Sequence, residues 1–282
     1  MNTIKNAMQL KAIVKNIAKD KNISAQLVLQ NYMLERFLER VSVSNYKDKF
    51  IIKGGFLIAS MVGLASRTTM DMDATIKNYP VNKESIYNMI SDVAKINLDD
   101  NITFALKSVG EIREGDEYTG YRVSLTANYE PMAVPLKLDI TTGDKITPNE
   151  IKYEYQLMFE SRTIQVMAYN LVTILAEKLE TVISRSDQNT RPRDYYDIYI
   201  LTKLQGENID FDTLSLALNI TAQKRGSFQI LREYPKIMET VKHSEIMNKQ
   251  WNNYRKDFDY ARNIEFADIC DIIVSVMKIL IQ

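Results

Sequence analysis

Cysteine, histidine and tryptophan are nearly missing from this chain, whose 282 residues hold one of each, including Cys270 and His243. A lone cysteine closes no intrachain disulfide, and one histidine with one distant cysteine cannot supply the usual ligand set of zinc. Redox and structural-zinc chemistry drop out. A Ser-His-Asp or Cys-His mechanism would need His243, which stands in the polar run Val241-Lys242-His243-Ser244-Glu245, away from any nucleophile signature. An excess of either charge is also missing, since 36 Lys and Arg balance 36 Asp and Glu. No global field draws a polyanion, so a nucleic acid would need a local basic patch. Residues 1–15 lack the apolar core of a signal peptide, and the apolar run 269–281 is broken by Asp271 and Lys278 and too short to cross a bilayer. A cytoplasmic protein without membrane contact is expected.

What is present is an ordinary globular composition, 45% hydrophobic and 26% charged, long enough for one elaborated domain or two joined ones. The first forty residues read as helical, with Leu27, Val28, Tyr32, Leu34, Phe37 and Leu38 at helical spacing behind Ser24 as N-cap. Residues 50–53 form a short apolar strand, ended by Gly54-Gly55, and 56–62 read as a helix. Residues 69–76 alternate, placing Thr69, Asp71, Asp73 and Thr75 on one face and Met70, Met72, Ala74 and Ile76 on the other. A helix over 83–95 precedes strands at 103–108, 118–128 and 134–140, with 114–117 as a hairpin turn. Beyond about residue 168 the spacing is helical, over 169–184, 194–204, 212–222, 235–241 and 267–281. The expected fold is α+β: a mixed sheet with flanking helices over residues 1–165, opened by a helical segment 1–45, and a helical half over 166–282.

The chemistry concentrates around the glycine pair. Asp71 and Asp73, two apart on a strand, point the same way, and adjacent like charges repel unless a cation lies between them. Mg²⁺ suits such a pair, because it takes one or two carboxylates and completes its shell with substrate phosphates. Asp139 offers a third carboxylate on a later strand, with Lys137 on the same face. Gly54 and Gly55 let backbone N–H groups approach a phosphate at a helix N-terminus, where the dipole favours an anion. Arg67 and Thr68 stand just before the carboxylates, able to bind phosphate oxygens or simply to position the strand. Lys178 lies on an otherwise apolar helix face with Ile174 and Val182, where an ammonium needs an anion; a triphosphate would serve, and so would Asp194. Each piece alone also has a bland reading as turn, cap or salt bridge.

The order of these pieces resembles the nucleotidyltransferase superfamily of the DNA polymerase β type. Within it, Leu34-Glu35-Arg36-Phe37-Leu38-Glu39-Arg40, Lys53-Gly54-Gly55-Phe56-Leu57, Arg67 to Asp73, Leu138-Asp139-Ile140, Ala176-Glu177-Lys178-Leu179 and Arg193-Asp194-Tyr195-Tyr196-Asp197-Ile198-Tyr199 resemble the AbiEii family. These are nucleotidyltransferase toxins of type IV toxin-antitoxin and phage abortive-infection systems. The resemblance implies transfer of NMP from an NTP, GTP among the candidates, to an acceptor, with the tRNA 3′ end foremost. Mg²⁺ or Mn²⁺ would be held by Asp71, Asp73 and Asp139. Lys178 and Asp194, or Asp197 in its place, would complete the active site, and the helical half would close the nucleotide cleft. It also implies an antitoxin acting mainly at transcription, without a stable complex. Arg191-Pro192-Arg193, Lys224-Arg225 and Arg162 are the candidate contacts to a tRNA backbone. Alternatives are a small-molecule or protein acceptor, or a nucleotide-binding module without catalysis.

Overall fold

The computed structural model describes residue 4 and residues 6–112 and 120–281. It divides into two compact units, one of residues 1–144 with 151–168, the other of residues 145–150 with 169–282.

The first unit opens with α1 (Ala7–Asp20) and α2 (Ala25–Val43). Ser24 caps α2 as its position suggests, its hydroxyl accepting from the Leu27 amide at 3.1 Å. Then follow β1 (Phe50–Lys53), α3 (Gly54–Val62), β2 (Met72–Ile76), α4 (Lys83–Ala94), β3 (Thr103–Ile112), β4 (Gly120–Tyr129), β5 (Met132–Thr142), β6 (Ile151–Gln156) and β7 (Thr163–Ala168). The seven strands form one mixed sheet in the order β3-β4-β5-β2-β1-β7-β6. The pairs β1–β7 and β2–β5 run parallel and the others antiparallel. The expected turn at 114–117 lies outside the described residues.

Helix α2 is buried on nearly every side, charged residues included: Glu35 and Arg40 are 0% exposed and Arg36 is 2% exposed. Ionised groups endure such burial only when paired and hydrogen-bonded. Arg40 forks onto Asp100, at 2.9 and 2.7 Å, and donates to the carbonyls of Ile96 and Ile102. Arg36 joins Glu35, Glu39 and Glu160, and Glu35 accepts the Met158 amide at 2.7 Å. The Leu34–Arg40 run thus ties α2 to the segment before β3 and to the β6–β7 hairpin. Against these partners burial still dominates at Glu35, and pushes its carboxyl up to about 7.

Three elements depart from the sequence reading here. β2 starts at Met72, not at residue 69, and the expected faces invert before it: Thr69 is 1% exposed while Met70 is 46% exposed. Helix α2 is the reason, because Asn31 donates to the Thr69 carbonyl at 2.7 Å and Gln30 to the Met70 carbonyl at 2.9 Å. Those acceptors are satisfied by side chains and leave the strand ladder. The strands β6 and β7 were not anticipated; β6 buries only Tyr155 and sits at the sheet edge, so it carries little apolar signal.

The second unit is helical: α5 (Leu171–Arg185), α6 (Pro192–Gln205), α7 (Phe211–Lys224), α8 (Phe228–Leu231), α9 (Tyr234–His243), α10 (Glu245–Asp257) and α11 (Phe266–Leu280). Asn170 caps α5 by accepting the Thr173 amide at 2.8 Å. Helix α10 was also unforeseen, since only Met247, Trp251 and Tyr254 of its residues are buried. Tyr195 and Tyr196 are core residues, 0% and 1% exposed. No helix among the described residues is long and apolar enough to cross a membrane.

Candidate active site

In the first unit, register gathers the charged residues into a row. Lys53 of β1 stands opposite Asp73 of β2, Asp73 is level with Asp139 of β5, and Asp139 is opposite Arg122 of β4. Across four adjacent strands the row reads cation, carboxylate, carboxylate, cation. Asp71 lies one step before β2, held by the Thr69 hydroxyl, which donates to its Oδ1 at 3.0 Å. Lys137 is exposed on the face of Asp139, level with Ser124.

The glycine pair is explained by what leans on it. A Cβ at Gly54 would meet Asp73 Oδ2 at 2.1 Å, and the backbone there has φ +65°. Only glycine lets this carboxylate lie against the first turn of α3. A Cβ at Gly55 would lie 2.8 Å from the Arg67 guanidinium. Arg67 and Thr68 are buried, at 3% and 4% exposure, and Arg67 donates to the Thr68 carbonyl. Lys53 precedes α3 without capping it by a side-chain bond. Its Nζ binds Asp144 at 2.5 Å and Thr141 Oγ1 at 2.8 Å, joining the ends of β1 and β5.

Arg122 was missed from the sequence. Its guanidinium holds Asp139 with both ends of a fork, at 2.8 and 2.7 Å. The pairing raises the arginine's pKa, through the hydrogen bond and charge of Asp139 first, then through Asp71 and Asp73. Asn31 and Gln30 were missed as well; Gln30 also reaches the Pro135 carbonyl at 3.3 Å, bridging the approaches to β2 and β5. These roles depend on strand register and helix docking, which a single sequence does not display.

The carboxylates offer hard oxygen donors, the chemistry that suits Mg²⁺ or Mn²⁺. Among the described residues no group of three or more Asp, Glu, His or Cys is gathered as a ready-made metal cage. A pair level in register, with Asp73 laid in the Gly54 cradle, fits an ion that draws its remaining ligands from substrate.

The second unit holds its own charged cluster. Lys178 of α5 contacts Asp194 Oδ1 at 2.5 Å and Asp197 Oδ2 at 2.9 Å, both one turn apart on α6. The side chains are 20%, 8% and 0% exposed respectively. One ammonium faces two carboxylates, and the buried Asp194 Oδ2 has no hydrogen-bond partner among the described residues.

Of the expected basic contacts, Arg162 is paired with Glu39 and Glu160, Arg225 with Glu180, and Arg193 lies over the Phe258 ring. His243 is exposed beside Glu239. Cys270 is buried, and desolvation pushes its thiol up to about 12, which leaves it inert.

The fold is similar to that of a candidate nucleotidyltransferase from H. pylori, at 14% identity and TM-score 0.51, covering 92% of this chain and 96% of that one. It is similar also to JHP933 from Helicobacter pylori, at 13% identity and TM-score 0.50, covering 91% and 92%. No curated protein matches the chain. The family model for the AbiEii nucleotidyl transferase toxin of type IV toxin-antitoxin systems matches residues 36–271, and the chain belongs to that family.

Proposed function

We propose that this toxin nucleotidyltransferase moves NMP from an NTP to the 3′ end of tRNA, by in-line attack of the terminal hydroxyl on the α-phosphorus. The new bond joins the acceptor oxygen to that phosphorus, and the bond to the β-phosphate oxygen breaks to release pyrophosphate. The observation that carries the reading is the level placement of Asp73 and Asp139, with Asp73 laid against Gly54.

Asp71, Asp73 and Asp139 would hold Mg²⁺ or Mn²⁺, which supplies charge neutralisation at the phosphates when bound. Gly54 and Gly55 present the uncapped amides of α3 to the phosphate chain. Arg67 and Thr68 brace that turn, and Lys137 adds positive charge on the same face as Asp139. Lys178, positioned by Asp194 and Asp197, would supply positive charge to the triphosphate. Positioning and fixed charge supply most of the rate. The domain division at 165/166 and the cytoplasmic setting with a separately acting antitoxin belong to the same proposal.

Pairing of Arg162 and Arg225 with acidic neighbours favours a second reading, in which the acceptor is a small molecule or a protein. One experiment separates them: purified protein, total tRNA, Mg²⁺ or Mn²⁺ and each α-labelled NTP in turn, beside D71A. Label in tRNA that requires Asp71 is the expected result. If tRNA stays unlabelled while growth inhibition still requires Asp71, tRNA is excluded as acceptor. Acceptor binding that weakens steeply with salt marks RNA.

A further inference from the structure

Arg122 reaches Asp139 from water. Its side chain is 49% exposed and that of Asp139 17%, whereas Arg40, which grips Asp100 in the same unit, is 0% exposed. Arg40 is built into the core; the Arg122 pair, at this exposure, contributes little to folding and is cheap to open. Yet the fork engages both oxygens of Asp139, the carboxylate edge that a divalent cation would take. A guanidinium and a dication cannot share that edge without strong repulsion. Asp71 and Asp73 act on the same guanidinium, so Arg122 lies within the field of every carboxylate assigned to the metal.

We propose that Arg122 is a displaceable counter-ion: it holds Asp139 in the metal-free protein, yields it to the incoming divalent cation, and then pairs with a phosphate of the nucleotide. This rests on the reading of Asp71, Asp73 and Asp139 as the metal carboxylates. A static brace behaves differently. Removing a brace loosens Asp139 and weakens metal and nucleotide together, whereas removing a competitor tightens the metal and weakens only the nucleotide.

The test uses the full chain as wild type, R122Q, R122K, D139N, D71A and the R122Q/D139N double variant. Mn²⁺ binding without nucleotide is read from the paramagnetic resonance signal of the free ion. Binding of an α,β-methylene NTP at saturating Mn²⁺ is read by calorimetry. R122Q should tighten Mn²⁺ about two- to fivefold and weaken the nucleotide about tenfold, with R122K retaining part of the nucleotide affinity. The Mn²⁺ gain should vanish in the D139N background, as coupling through a shared partner requires. Unchanged or weaker Mn²⁺ binding in R122Q, or an equal gain without Asp139, overturns the hand-over while leaving the metal site standing. If D71A and D139N both bind Mn²⁺ as wild type does, the metal assignment itself fails and the proposal with it.

Discussion

Replacing Gly54 by alanine tests the link between the glycine pair and the carboxylates most directly. Two costs add. A non-glycine residue at φ +65° is strained by about 1–2 kcal/mol. The new methyl would also stand 2.1 Å from Asp73 Oδ2, 2.7 Å from its Cγ and 2.9 Å from its Cβ. Because even the Cβ is involved, rotating the carboxyl away is not enough, and the strand or the helix start must shift, at a further cost of about 1–3 kcal/mol. Gly226 supplies the control, since its φ is +68° and a Cβ there meets nothing within 4 Å. G226A should lose only the backbone term and keep transfer activity. G54A should lose about 2–5 kcal/mol in urea denaturation and at least about 100-fold in nucleotidyl transfer, as a displacement near 1 Å produces. Gly55→Ala should be milder, because its methyl meets only the far end of the Arg67 side chain. Equal destabilisation of G54A and G226A, with transfer intact in both, would refute the claim that Gly54 exists to seat Asp73.

Other outcomes follow from the charged clusters. Lys178→Met removes the ammonium that contacts Asp194 and Asp197, 8% and 0% exposed, and should cost about 3–5 kcal/mol in denaturation besides abolishing transfer. Adding D197N should restore much of the stability and none of the activity; no recovery would show that the loss does not come from the two carboxylates facing each other across the missing ammonium. Glu35, shifted from 4.5 to about 7 by burial, keeps its proton longer in the folded chain than in the unfolded one. Its contribution to stability is therefore full below about pH 4.5, declines as pH rises, and is lost above about 7, some 3 kcal/mol in all. Denaturation at pH 5 and pH 8 should show this slope in wild type and a flatter one in E35Q; an equal slope in both would assign it elsewhere. Asn31→Ala, removing buried bonds to the Thr69 and Leu27 carbonyls, should cost about 1–3 kcal/mol and reduce kcat more than nucleotide affinity. A pure loss of stability with unchanged kcat would make Asn31 a core residue only.

Much of this arrangement is written locally in the sequence. Phe50–Lys53 is where an apolar run ended by a glycine pair places it, the helix expected over 56–62 is present but already begins at Gly54, and Ser24 caps the helix it precedes. Alternation correctly faced Asp73 away from Met72 and Ala74. It failed at residues 69–71, where strict alternation is present but α2 claims the carbonyls, so that a tertiary contact overrides a local pattern. Edge strand β6 and polar helix α10 were lost because each buries too few side chains to leave a periodic trace. At the site, Lys178 meeting Asp194 and Asp197 agrees with the need of an ammonium on an apolar face for an anion. Arg122 had no such signal. Nothing about a lone arginine in β4 reveals its opposite number until the hairpin register is set.

The position of β2 has one more consequence. It is the middle strand of seven, with three strands on either side, so its amides are shielded from both edges of the sheet. Opening of β6 or β3 at the margins can expose outer amides to solvent exchange many times before β2 is reached. Asp73 therefore rides on the strand most insulated from fraying, and the carboxylate geometry should outlast partial losses of structure that would already have erased the sheet's edges.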